Sequence, residues 1–264
     1  MRIFTAAFYK GVSLFFSLLY TAVLPLSCLS GAVVKGPALQ DAVTVTAHAG
    51  CMGLPENSVI AMEMGVAAGA DIVEFDLNFR ADGTPVLAHF DPEESDCATL
   101  ADAFAFLAAH PGIKANVDVK STAFLEKVQP MAQEAGVLKQ LFFTGLDENT
   151  IPVAAQACPD IPYYLNVKVT EDEDFAALAE KAAALGAMGV KLDHRDATPG
   201  LVEAMHAKGL LVSLWTIEKA EEAPRTIRLG ADNITTIRPV LLRLLLPRVR
   251  FSSGSPACSR MADC

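Results

Sequence analysis

Basic residues are scarce in this chain. Lys and Arg number 21 against 31 Asp and Glu, a formal net charge of −10. That balance excludes nucleic acid as the natural partner, because a phosphate backbone is gripped by Lys and Arg in number. A small phosphate-bearing substrate remains compatible with it, since a bound divalent cation reverses the local charge. Metal-type cysteine spacing is missing as well. Cys28, Cys51, Cys97, Cys158, Cys258 and Cys264 form no CxxC pair and no zinc-ligand pattern, so they read as buried or incidental thiols. A chain this rich in apolar residues does not need a disulfide framework. There is no internal repeat, which excludes a solenoid.

Charge of either sign is absent from Gly11 to Val34, a run of 24 residues. The ten residues before it carry Arg2 and Lys10 and no acid. Residues 1–36 therefore read as an export signal or a single membrane anchor, with Ser30-Gly31-Ala32 suited to signal-peptidase cleavage. This places the protein outside the cytoplasm, with membrane contact through that segment. The alternative is a cytoplasmic protein with a helix packed under its core, or an overlong gene start. At the other end, Leu241-Leu242-Arg243-Leu244-Leu245-Leu246 reads as a closing helix of the barrel, with contact at a membrane surface as the alternative, and residues 246–264 as a loose tail.

What is present is a globular composition, 52% hydrophobic and 20% charged over 264 residues. Strand-like runs recur through the middle: Val43–Ala47, Ile72–Leu77, Ala115–Val119, Leu141–Thr144, Tyr163–Val167, Gly189–Leu192, Leu211–Trp215 and Asn233–Thr236. Helical stretches separate several of them. Ser58–Gly69 follows a cap at Asn57 or Ser58, Leu100–His110 stops at Pro111-Gly112, Asp174–Leu185 precedes Gly186, and Pro199–Lys208 follows Thr198. Alternation of this kind implies a parallel sheet, and eight strands imply closure into a TIM-type (β/α)8 barrel over residues 40–245.

In such a barrel the working residues lie at the C-terminal strand ends. His48 follows the first strand, and Glu74 and Asp76 share one face of the second. Asp118 and Lys120 repeat the i, i+2 pattern on the third, and the extended piece Pro85–Ala88 runs into His89. Paired carboxylates on an apolar strand repel and lose hydration unless something positive lies between them, and a hard divalent cation meets that need. Lys120 can face a phosphate, and two imidazoles can serve as general base and acid on a phosphoester.

At these residues the sequence resembles the glycerophosphodiester phosphodiesterases. The resemblance is carried by Ala47-His48-Ala49-Gly50, Leu54-Pro55-Glu56-Asn57-Ser58, Gly69-Ala70-Asp71-Ile72-Val73-Glu74-Phe75-Asp76-Leu77, Asp82-Gly83-Thr84-Pro85-Val86-Leu87-Ala88-His89 and Asn116-Val117-Asp118-Val119-Lys120. Gly209–Thr216 and Gly230–Thr236 extend it to about residue 240. The resemblance implies cleavage of a glycerophosphodiester to glycerol phosphate and an alcohol with Mg²⁺ or Ca²⁺. It makes His48 and His89 the acid–base pair and Glu74, Asp76 and Asp118 the metal ligands. Lys120 would steady the transition-state charge, Trp215 would form a substrate wall, and Glu56 would stand behind the site and orient the first loop.

Three departures stand out. Ala49 replaces the Arg that usually follows the first His, Asp118 stands where Glu is common, and the usual insertion after the second His is missing. Without the insertion the pocket is expected to be open. An open pocket suits a bulkier head group or a lipid, so a lysophospholipase D or sphingomyelinase-D-like activity is a second reading. A catalytically weak phosphate-binding module at a membrane is a third.

Overall fold

The computed structural model describes residues 43–94 and 96–246, so the uncharged N-terminal run, Cys28, Cys258, Cys264 and nearly all of the C-terminal tail lie outside the described residues. No helix among the described residues is long and apolar enough to cross a membrane. The strands are β1 (Thr44–Ala47), β2 (Ile72–Phe79), β3 (Pro85–Leu87), β4 (Lys114–Val119), β5 (Leu141–Thr144), β6 (Tyr164–Asn166), β7 (Gly189–Asp193), β8 (Leu211–Ile217) and β9 (Asn233–Thr236). The α-helices are α1 (Val59–Ala67), α2 (Leu100–Ala109), α3 (Val128–Glu134), α4 (Ile151–Ala157), α5 (Phe175–Ala184), α6 (Pro199–Ala207), α7 (Ala223–Arg228) and α8 (Pro239–Leu245).

The strands run in the order β5-β4-β2-β1-β9-β8-β7-β6, and β3 pairs antiparallel with β2 alone. The ends of that row meet. Phe143 N–H donates to Pro162 C=O at 2.8 Å, and Asn166 N–H donates to Leu146 C=O at 2.7 Å. The result is a nearly closed eight-stranded parallel barrel ringed by helices, a TIM barrel. All eight strand-like runs seen in the sequence are strands, with ends moved by a residue or two. The closing helix is α8, which buries Leu242 and leaves Leu244 and Leu245 partly in solvent. α3, α4 and α7 are seven residues or fewer, too short to give a periodic signal in the sequence.

Alternation along each strand sorts side chains between two cores. Val73, Phe75 and Leu77 point out and join the layer between sheet and helices. Ile72 points in and packs with Phe142, Tyr164 and Leu211 as an apolar floor to the barrel. Gly189 belongs to this floor because nothing larger fits: a Cβ there would lie 2.1 Å from Leu211 O.

Capping residues fix where the helices begin. Ser58 Oγ accepts from Ala61 N–H, Asp174 from Ala176 and Ala177 N–H, and Thr198 from Leu201 N–H. α2 starts in a capping box, in which Thr99 Oγ1 accepts from Asp102 N–H while the Asp102 carboxylate accepts from Thr99 N–H at 2.8 Å. At the bottom of the barrel two aspartates do structural work. Asp71 accepts from Val45 N–H, and Asp232 accepts from Val212 N–H at 2.8 Å and bonds His206 Nε2 at 2.8 Å. His110 is structural too, its Nδ1 bonding Phe106 C=O at 2.8 Å.

Candidate active site at the barrel mouth

A cavity of about 590 Å³ opens at the C-terminal ends of the strands, within the range of small-molecule sites. His48, Glu74, Asp76, His89, Asp118, Lys120 and Trp215 all line it. Glu56 does not: it is exposed, and its side chain lies against Gly50 in the β1–α1 loop, where a Cβ on Gly50 would meet Glu56 Cγ at 2.6 Å. Ala49 is buried and likewise absent from the lining.

The charges interlock. Lys120 Nζ lies 3.0 Å from Asp76 Oδ1 and 3.2 Å from Asp118 Oδ2. Asp76 Oδ2 accepts from Asn57 Nδ2 at 2.9 Å and meets His89 Nδ1 at 3.1 Å. Asn57 Oδ1 in turn accepts from Asp76 N–H at 2.8 Å, so one buried amide grips both the backbone and the carboxylate of Asp76. Asn57 holds a left-handed backbone (φ 57°), a conformation Asn tolerates better than most residues. The helix cap beside it is therefore Ser58, and Asn57 belongs to the site. Burial alone would push the Asp76 carboxyl up, but Lys120, the Asn57 bond and His89 together hold it below the usual carboxylate range. An ionised Asp76 can only accept, so His89 Nδ1 carries the hydrogen and its Nε2 is left to exchange a proton.

Lys191 was hidden in the apolar run of β7. It is 2% exposed, and it crosses the barrel interior to Glu74 Oε1 at 3.4 Å and Thr144 Oγ1 at 3.2 Å. Thr144 donates onward to Asn116 Oδ1 at 2.6 Å. Burial pushes the Glu74 carboxyl above its ordinary value, and Lys191 works against that rise. No spacing rule links Lys191 and Glu74, which are 117 residues apart.

Whether a cation fits can be asked of the oxygens left over. Among the described residues no three of His, Cys, Asp and Glu stand close enough to hold an ion as they are, and Lys120 and Lys191 lie among the acids. Yet Glu74 Oε2 and Asp118 Oδ1 are buried with no hydrogen-bond partner. Two unsatisfied carboxylate oxygens in one cavity are the donor type that Mg²⁺ and Ca²⁺ take, so the residues fit such an ion. Among the described residues no cysteine lines the cavity, and burial pushes the Cys51 and Cys158 thiols up to about 11.

The far wall of the cavity is formed by β7, β8 and their loops. Asp193, His194, Arg195, Trp215, Glu218 and Glu222 line it, and of these only Trp215 stood out in the sequence. The segment from His89 to α2 contains no inserted element, and Phe90 stands 87% exposed beside His89. A TIM barrel that gathers paired histidines, carboxylates and a lysine at its mouth has the groups for acid–base chemistry on an ester. The model of the glycerophosphoryl diester phosphodiesterase family matches residues 48–92 and 90–241. The chain belongs to that family and is a phosphoric diester hydrolase. Among relatives, the Bacillus subtilis (strain 168) protein YqiK is 23% identical over 241 residues, 76% of this chain and 98% of its own. A glycerophosphodiester phosphodiesterase from Parabacteroides distasonis superposes with a TM-score of 0.66 at 17% identity, over 78% of this chain and 97% of that one. An Oleispira antarctica phosphodiesterase, solved in complex with its product sn-glycerol-3-phosphate, gives a TM-score of 0.64 at 21% identity, over 76% and 95%.

Proposed function

We propose that the protein hydrolyses glycerophosphodiesters to glycerol phosphate and an alcohol, with His48 and His89 as the acid–base pair. The observation that carries this reading is the meeting of His48, Glu74, Asp76, His89, Asp118 and Lys120 in one cavity, from four separate stretches of chain. The product complex of the Oleispira antarctica relative supports the same substrate class. In the reaction, an oxygen nucleophile bonds to phosphorus and the bond to the leaving alcohol's oxygen breaks. One imidazole takes the nucleophile's proton, and the other returns a proton to the leaving alkoxide. Asp76 fixes the ring of His89, and Asn57 fixes Asp76. Lys120, held between Asp76 and Asp118, offers a positive charge to the phosphoryl oxygens as negative charge grows there.

Glu74 and Asp118, each with an oxygen to spare, would hold Mg²⁺ or Ca²⁺, with Asp76 completing the set. When bound, such an ion polarises the phosphoryl group and aligns the nucleophile. The exposed Phe90 beside His89 favours a second substrate, a lysophospholipid whose acyl chain runs out past the mouth. The basic start and uncharged run before Lys35 support an exported or membrane-anchored enzyme of lipid metabolism.

The deciding experiment compares glycerophosphocholine and lysophosphatidylcholine with Mg²⁺, with Ca²⁺ and with chelator, beside His48→Ala. Metal-dependent release that is lost in the variant supports the reading, and the faster substrate separates soluble diester from lipid. Turnover unchanged by the variant sinks it.

A further inference from the structure

The strand order places β7 diametrically across the barrel from β2, and β8 across from β4. A substrate whose phosphorus lies among the β1, β2 and β4 groups therefore extends one end toward the β7–β8 wall. On the phosphoryl side the cations are already engaged, Lys120 with Asp76 and Asp118 and Lys191 with Glu74. On the far wall Arg195 has donors to spare. Its Nε donates to Asp193 Oδ1 at 2.8 Å, and one Nη pairs with Asp193 Oδ2. The remaining guanidinium N–H groups have no protein partner among the described residues, and the side chain is 75% exposed. The loop beneath it is pinned on both sides, since Arg225 donates to His194 C=O at 2.7 Å and to Ala197 C=O at 3.0 Å. A guanidinium anchored by one edge on a braced loop is prepared to use its other edge on a ligand.

The same wall holds an unspent carboxylate. Glu218 lines the cavity and makes no side-chain hydrogen bond or ion pair among the described residues. Glu222 is occupied, accepting from Glu218 N–H and Lys219 N–H. Trp215 is in register with Asp193, and its half-exposed indole offers an apolar face. The surroundings choose the ligand. A simple anion at Arg195 would also feel Asp193, Asp196 and Glu222, while a simple cation would feel Arg195 itself. A group bearing both charges satisfies both.

Resting on the phosphodiesterase reading above, we propose that this wall selects a leaving alcohol carrying an ammonium and a carboxylate, a serine-type head group. Arg195 takes the carboxylate, Glu218 the ammonium, and Trp215 covers the carbon chain. Glycerophosphoserine and glycerophosphoethanolamine differ by that carboxylate alone, so their ratio of kcat/KM isolates the contact. The full chain should favour the serine diester by about tenfold or more, the usual worth of charge-assisted bonds. Arg195→Met should bring the ratio toward unity, Arg195→Lys should recover part of it, and Glu218→Gln should slow both diesters together. A wild-type ratio near one, or a ratio untouched by Arg195→Met, overturns the proposal. Calorimetric titration of glycerophosphoserine in chelator reads the wall without turnover. A loss of about tenfold in affinity in Arg195→Met supports it, and equal affinity refutes it. Should no diester be hydrolysed, the phosphodiesterase reading falls, and the titration still decides this one.

Discussion

The β1–β2–β4 wall of the mouth and the β7–β8 wall differ in how their charges are settled. On the first, Asp76 answers to Lys120, Asn57 and His89, Asp118 to Lys120, and Glu74 to a lysine from across the barrel, and the oxygens left over, Glu74 Oε2 and Asp118 Oδ1, are buried rather than open to solvent. On the second, Arg195 and Glu218 keep bonding capacity open to the cavity. Interlocked charges are costly to bury and stay in one arrangement, which suits groups that must meet a reacting atom at fixed geometry. Charges with spare capacity suit a part of the substrate that differs from one diester to another. Under the proposed function, chemistry falls to one wall and choice of substrate to the other.

The largest effect should come from the proposed acid–base pair, His48 and His89. His48→Ala and His89→Ala should each lower kcat by about 10²–10⁴-fold with the fold intact, which circular dichroism alongside the assay checks. A comparable loss of kcat from Arg195→Met, with the acid–base variants mild, would break the division of labour. Lys191 comes next, as the brace between the walls. Lys191→Met leaves Glu74 buried and unpaired, at a cost of about 3–5 kcal/mol, a fall in Tm on the order of 10 °C. Millimolar Mg²⁺ should restore part of that, and Glu74→Leu combined with Lys191→Met should restore more, since an apolar pair removes both charges. A single variant as stable as wild type would show that the brace contributes nothing. Asn57→Ala should cost less, about 1.5–3 kcal/mol for bonds to a charged partner, and should lower kcat through the freed Asp76 and His89.

The first wall was legible in the sequence, and of the second only Trp215 was. Glu74 and Asp76, then Asp118 and Lys120, are i, i+2 pairs on single strands, so one local pattern gives both identity and direction. The barrel itself was equally legible, because its strands are apolar runs punctuated by glycine and caps. Lys191 carried no such mark. It is one charge in an apolar strand, and its partner is joined to it only by closure of the barrel. Arg195 and Glu218 lie in loops, where no periodicity exists to read. Asn57 was visible as a cap and not as a ligand of Asp76, since the sequence shows which side chains can bond and not which bond they take.

The smallest effect sharpens the comparison from the scaffold side. α2 follows directly on the His89 loop, and its capping box fixes where that loop ends. The bonds from Thr99 hold the Asp102 carboxyl below its ordinary value. A carboxylate depressed in the folded state contributes stability that is present above its unfolded pKa, near 4, and is lost as pH falls through the lower folded value. Thr99→Ala should therefore cost about 0.5–2 kcal/mol at neutral pH. The difference from wild type should shrink as pH falls below about 4, once Asp102 is protonated in both states. Melting curves at neutral and acid pH measure it. Since the box stands behind the first wall, His89-dependent turnover should fall with stability while the serine-to-ethanolamine ratio set by the second wall stays where it was. A shift in that ratio would show that a disturbance at the first wall reaches the second through the Lys191–Glu74 brace.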